Sequence, residues 1–327
     1  VNIFINRKAV SGPWGGENSF MGALCKDLKN NGHTIVTTLD NKIDIALINA
    51  LTLIDINTVK TLHSRNIPII HRKVGFIVSG SEEIRAVHNG VVEGDRRQIE
   101  FSPYIRHSVF QSQYSYDFFT REGFEGPHSI IHNGVDEKKF NLNNRSLFGL
   151  KEEPRRFWDG KEPFKILIVS WSNDKNKGFH YYEEIDKQLA GREDVKFTFA
   201  GRRPEGLEFK NIKTYPPQNH KKLANLYRSH HALLFLGREE TCSNTILEGI
   251  NCGLPIIFHN SGASPETAGP YGTVFGNDIF SCIETIQRNY LDIVKNIPNN
   301  PYKISQVAPK YRKIIDDVYR EWREEHS

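Results

Sequence analysis

Glu240 and Glu248 have seven residues between them, and the stretch that holds them can do recognisable chemistry. The apolar run Ala232-Leu233-Leu234-Phe235-Leu236 precedes them and reads as a short buried parallel strand. Thr245, Ile246, Leu247 and Ile250 then begin a helical pattern, with Ser243 or Asn244 as its N-cap. Cys252-Gly253-Leu254-Pro255 closes that helix, and Pro255-Ile256-Ile257-Phe258 reads as the next strand. Glu240 therefore ends a loop, and Glu248 lies about one turn inside the helix. Between them the first helical N–H groups point outward with partial positive charge. Such a turn seats a phosphate and offers an acid on either side for hydroxyl groups. Two acids at this spacing alone would read as solvated carboxylates of a surface helix. The flanking strands and the Cys-Gly-x-Pro turn reverse that reading.

Cations for a diphosphate are available nearby in the pattern. Lys177 lies in the polar loop Trp171 to Gly178, and Arg202 and Arg203 follow the strand Val195 to Ala200. An Arg fork can hold two phosphate oxygens at once, although a solvated surface position explains these arginines equally well. Near the start, Ser11-Gly12-Pro13-Trp14-Gly15-Gly16 lies between a strand and a helix and forms a second possible anion site. It is neither a Gly-x-Gly-x-x-Gly dinucleotide fingerprint nor a P-loop. His71 ends the run Ile67-Pro68-Ile69-Ile70, where open α/β sheets bind ligands, though a lone His is as often structural. No Asp-x-Asp occurs; Glu93-Gly94-Asp95 is the nearest approach.

The stretch from Glu240 through Pro255 resembles the donor site of the GT4 family of retaining glycosyltransferases, whose signature is two Glu separated by seven residues before a Cys-Gly-x-Pro-like turn and a strand. The resemblance implies that Glu240 contacts the transferred sugar. It further implies that Ser243, Asn244 and Thr245 at the helix start bind the diphosphate and that Glu248 binds the ribose. Gly15 and Gly16 match the family's Gly-Gly loop facing the donor phosphates, and His71 matches a His beside the sugar and acceptor. Asn133-Gly134-Val135-Asp136 resembles a mainly structural turn of the family. His71-Arg72, Asp95-Arg96 and Phe110-Gln111-Ser112 resemble a bacterial-type branch of it. One departure stands out: the family places an Arg six residues before the loop Lys, and here that position is Trp171. Arg202 or Arg203 is the candidate replacement. The catalytic set implied is Glu240, His71 and Lys177, with no metal and no cofactor beyond a nucleotide-sugar substrate.

Composition sets bounds on partners. The 327 residues carry 43 basic and 39 acidic side chains, a net charge of +4, too mild to argue for nucleic acid. Cys25, Cys242, Cys252 and Cys282 have no metal-like spacing and read as free thiols of a reducing compartment. No signal-peptide pattern or long apolar run occurs, and Val1 reads as a processed or trimmed start. The expected setting is the cytoplasm, with room for peripheral membrane contact. The expected partners are a nucleotide sugar and an acceptor glycan or glycolipid.

These groups need a scaffold that brings strand ends together. Apolar runs alternate with helical patterns twice, before and after a polar linker at 141–163. The expected fold is α/β of the GT-B kind, with two doubly wound Rossmann-like domains facing across a cleft. The acceptor-side domain spans 1–140 and the donor-binding domain 164–300. A terminal helix within 301–327, carrying Val307, Tyr311, Ile314, Ile315, Val318 and Trp322, crosses back to the first domain. Residues 75–94 read as a loop over the acceptor side. Rival readings are a GT-B nucleotide-sugar epimerase and a non-catalytic sugar-nucleotide-binding protein. The acceptor-side loop favours transfer over the first, and the presence of Lys177, Glu240 and Glu248 argues against the second.

Overall fold

The computed structural model describes residues 1–6, 16–49, 56–74, 98–142 and 157–327. Ser11 to Gly15, the 75–94 loop, Asp95-Arg96 and most of the 141–163 linker lie outside the described residues.

The first half is built from β1 (Asn2–Ile5), α1 (Gly16–Asn30), β2 (Thr34–Val36), β3 (Ile45–Asn49), α2 (Ile56–Ser64), β4 (Ile69–Lys73), β5 (His107–Phe110), α3 (Gln113–Arg121) and β6 (His128–Ile130). Its strands form one parallel six-stranded sheet in the order β2-β1-β3-β4-β5-β6. The second half carries β7 (Phe164–Ser170), α4 (Phe179–Gln188), β8 (Val195–Gly201), β9 (Lys213–Tyr215), α5 (His220–Ser229), β10 (Ala232–Phe235) and α6 (Asn244–Asn251). It continues with β11 (Ile256–Phe258), α7 (Ser264–Ala268), β12 (Gly272–Val274), α8 (Ile279–Arg288), α9 (Tyr290–Asn296) and α10 (Ile304–Glu325). Its sheet is also parallel and six-stranded, in the order β12-β11-β10-β7-β8-β9. This is the doubly wound GT-B architecture expected.

Every residue of β3 and β10 is buried, as strands covered on both faces require. From β7 the chain steps to β8 and β9 on one side, then returns to β10 on the other. The order therefore reverses between β7 and β10, and a crevice opens beyond their carboxyl ends. Gly201 sits at that edge with φ +144°, and a Cβ there would lie 1.7 Å from the Ser170 carbonyl oxygen. Only glycine lets β7 and β8 stay paired to their last residues, Ser170 and Gly201.

α10 spans the predicted length and buries Val307, Ala308, Tyr311, Ile315 and Val318. They pack with Phe20, Met21, Leu24 and Leu28 of α1 and with Ile131, so this helix does cross back to the first half. Two backbone hydrogen bonds fix its entry: Val135 N–H donates to the Tyr302 carbonyl, and Ile304 N–H to that of Val135, each at 2.8 Å. β4 departs from expectation. It runs on to Lys73, so His71 lies inside the strand rather than at its open end.

Candidate functional site

α6 begins where the spacing predicted, with Ser243 as its N-cap. The Ser243 side chain makes no capping bond, so the first helical N–H groups keep no side-chain cap of their own. Ile246, Leu247 and Ile250 are fully buried and tie the helix to its sheet, leaving its N-terminus at the switch-point crevice.

Glu240 pairs with Lys177 through Oε1 and Nζ, although they are 63 residues apart. Both side chains remain partly exposed, at 26 % and 18 %. The Lys177 turn is preset locally: the Asp174 carboxylate accepts from Asn176 N–H at 2.9 Å. The next residue, Gly178, has φ +82°, and a Cβ there would lie 2.6 Å from the Leu236 carbonyl oxygen. Arg238 N–H then donates to the Asn176 carbonyl at 2.8 Å, zipping the Lys177 loop to the Glu240 loop. Glu240 is clamped on its far side by Ala263 N–H, which donates to its carbonyl at 2.8 Å.

Glu248 points into a pocket and is only 8 % exposed. Burial pushes its carboxyl up to about 8, against the lowering effects of the Tyr227 hydroxyl and the Lys139 charge. The Tyr227 hydroxyl donates to Oε2 at 3.3 Å. The carboxyl ionises near 4.5 in an unfolded chain and near 8 in the fold. Between those values the folded state holds the extra proton, so stability falls as pH rises through that window. Glu248→Gln is therefore expected to melt at the same temperature as wild type below the window and higher than wild type above pH 8. Parallel melting curves at pH 4 and pH 8.5 check this; an equal offset at both would refute it.

The pocket gathers Ser170 and Trp171 after β7, Ala200 and Gly201 at the end of β8, Gln218, His220 and Leu223 around the start of α5, and Asn244, Thr245 and Glu248 of α6. Ser19 of α1 closes it from the other half, its hydroxyl 3.1 Å from Nε2 of His220. Burial holds the His220 imidazole below its ordinary range, with Lys139 adding to the effect. Lys177 and Glu240 are not part of this lining. Nor are the two arginines: Arg202 is exposed and Arg203 half-buried, and the Arg202 N–H donates to the Ser170 carbonyl at 2.8 Å. Gly16 opens α1, and Gly15 lies outside the described residues.

On the facing sheet, His71, Arg72 and Lys73 are all fully buried. The Arg72 guanidinium donates to Asn49 Oδ1 at 2.6 Å, to Gln111 Oε1 at 2.9 Å and to Asn133 Oδ1. Asn133 in turn donates to Asn244 Oδ1 at 3.0 Å and to the Cys242 carbonyl at 3.3 Å, so the start of α6 is tied to β4 across the two halves. Lys73 donates to the Gln98 carbonyl, and burial brings its amine down to about 7. His71 has no hydrogen-bond partner on either ring nitrogen among the described residues. Burial, with Lys73 beside it, holds that ring well below its usual range and hence neutral. A third tie between the halves is Glu266, which accepts from Gln113 N–H at 3.0 Å on each oxygen and lies 2.7 Å from His132 Nε2. Asn133, Tyr227 and Glu266 were not singled out as site residues in the sequence, because each acts on a partner 21 to 153 residues away.

Residues 163–291 match the family model described as Glycosyl transferases group 1. The second half is a glycosyltransferase group 1 domain. Whole-chain likenesses fit that assignment. Sucrose-phosphate synthase from Thermosynechococcus elongatus superposes with a TM-score of 0.72 over 98 % of this chain and 99 % of that one, at 13 % identity. The lipopolysaccharide outer core galactosyltransferase WaaB gives 0.61 over 97 % and 99 %, at 12 % identity. An alpha-glucosyltransferase in complex with UDP-glucose and DNA containing an abasic site gives 0.59 over 97 % and 98 %, at 13 % identity. At such identities the likeness speaks for the fold. No curated protein matches in sequence.

The chain thus carries a glycosyltransferase group 1 domain in a GT-B frame, with a pocket at the switch point of the matched domain. Among the described residues, no group of three His, Cys, Asp or Glu side chains is placed to hold a metal ion. Cys25, Cys242, Cys252 and Cys282 form no disulfide among the described residues. Among the described residues, no helix is long and apolar enough to cross a membrane.

Proposed function

We propose that the protein is a GT4-like retaining glycosyltransferase, independent of metal, that moves a sugar from a nucleotide-diphosphate sugar to a glycan or lipid-linked acceptor. The observation that carries this reading is the Lys177–Glu240 pair joined beside an α6 start whose N-cap side chain makes no bond, with Glu248 buried in the adjoining pocket. Fixed cation, helix dipole and two acids are the parts that leaving-group chemistry at an anomeric carbon calls for. The UDP-glucose bound by one structural neighbour supports the donor class.

In this reading residues 164–300 bind the donor and 1–140 face the acceptor. Glu248 accepts hydrogen bonds from the ribose hydroxyls. The α6 N–H groups at Asn244 and Thr245, with Lys177, hold the diphosphate. Glu240 holds a sugar hydroxyl. The acceptor oxygen bonds to the anomeric carbon on the face the diphosphate leaves. The C–O bond to phosphate breaks, and the departing phosphate oxygen takes the acceptor proton. His71, neutral and buried, sits on the acceptor side.

The test is a panel of nucleotide sugars scored by thermal stabilisation, followed by transfer assays in a chelator and by NMR of the product anomer. Stabilisation by one donor, turnover undiminished by chelator and a retained anomer are expected. Absence of binding by every nucleotide sugar would overturn the reading, an absolute need for added metal its metal-free part, and an inverted product its stereochemistry.

A further inference from the structure

We propose that Trp171 is the stacking platform for the nucleobase of the donor, an inference that rests on the nucleotide-sugar reading above. Trp171 follows β7 at the switch point and remains 49 % exposed. Its indole makes no ring contact, cation–π contact or hydrogen bond among the described residues. The other described tryptophans are engaged. Trp158 packs edge-on against Phe164 and Tyr290 and donates to the Glu162 carbonyl at 3.0 Å, and Trp322 stacks on His326. An indole left half in water at a pocket wall leaves apolar area and a π-face for a ligand to cover.

The position of the wall selects which part of the donor that is. Trp171 lines the compartment that holds Glu248 and Gln218, and neither Lys177 nor Glu240 lines it. That compartment is the ribose side of the site, away from the pair assigned to the sugar. Gly201, which also lines this compartment, carries no side chain and can carry none. Charge points the same way. A neutral indole six residues before Lys177 offers a diphosphate no cation and a single N–H donor, so the larger contact it can add is through its apolar face. Stacking of this sort tolerates different bases, since each has a π-face.

Tryptophan fluorescence and calorimetry test the assignment with UDP, ADP and GDP, and with inorganic pyrophosphate as the probe that lacks a base. Wild type should be quenched by at least one nucleoside diphosphate, and Trp171→Phe should lose that signal while keeping affinity within about threefold. Trp171→Ala should bind that nucleotide roughly 5- to 150-fold more weakly, the range expected for one lost base–aromatic stack. Its pyrophosphate affinity should be unchanged. Equal weakening toward nucleotide and pyrophosphate, or full nucleotide affinity in Trp171→Ala, would overturn the stacking role while leaving the donor class intact. If no nucleoside diphosphate binds wild type, the donor reading and this inference fall together.

Discussion

Lys177→Ala is expected to lower turnover by about 10²–10³-fold, the size seen when one preorganised contact to developing charge is removed. Lys177 is the cation that this structure places against Glu240, from a turn held by Asp174 and Gly178. Its charge is fixed before any donor arrives, so it costs no reorganisation as the phosphate leaves. The loss should appear in kcat and in kcat/KM together, as for an interaction made chiefly in the transition state. Glu240→Ala should lower turnover as well but spare diphosphate affinity, because Glu240 is assigned to the sugar. Steady-state kinetics with diphosphate titrations on both variants check the division. Equal loss of diphosphate affinity in both variants would refute it. Arg202→Ala and Arg203→Ala belong in the same series. Wild-type behaviour in both would leave the diphosphate to Lys177 and the α6 N-terminus alone.

The second large effect is on stability. Arg72→Met should cost at least ~2 kcal/mol, since the Gln111 and Asn133 oxygens that it satisfies would each lose that donor at about 1 kcal/mol or more, with the Asn49 bond lost besides. The guanidinium is wholly buried and lies 4.6 Å from the centre of the Phe20 ring, so the methionine chain replaces volume but no donors. Urea unfolding measures the loss as a lower midpoint with a similar slope. Because Asn133 relays Arg72 to Asn244, the folded fraction of the variant should also bind diphosphate more weakly. An unfolding free energy within 1 kcal/mol of wild type would show that the network is dispensable.

Much of this architecture is written locally in the chain. Apolar runs such as Ala232-Leu233-Leu234-Phe235 have one low-energy fate in a covered parallel sheet, and α10 lies within the 301–327 stretch whose spacing predicted a helix. The start of α6 is likewise legible, because Ser243 and the helical apolar spacing after it act within one turn. The placement of Glu240 and Glu248 on either side of that start follows from residue count alone.

Other features depended on which elements the tertiary structure brought together. The run Ile67 to Ile70 read as a strand ending at His71-Arg72. The fold buries them, and for Arg72 the reason is visible in acceptors from Asn49, Gln111 and Asn133, drawn from three separate segments. Glu248 read as a hydroxyl-binding acid one turn inside its helix, with nothing local to mark its protonation state. Its raised carboxyl comes from burial in the pocket walled by α5 and the ends of β7 and β8. Trp171 read as a missing charge, and only the packed loops decide that it lines the compartment of Glu248. Sequence by itself therefore determined the elements and the acids at their ends, because those rest on contacts within a turn or a strand. Which groups meet across 63 or 111 residues was decided by the packing of the two sheets, since no local energy registers a partner that distant.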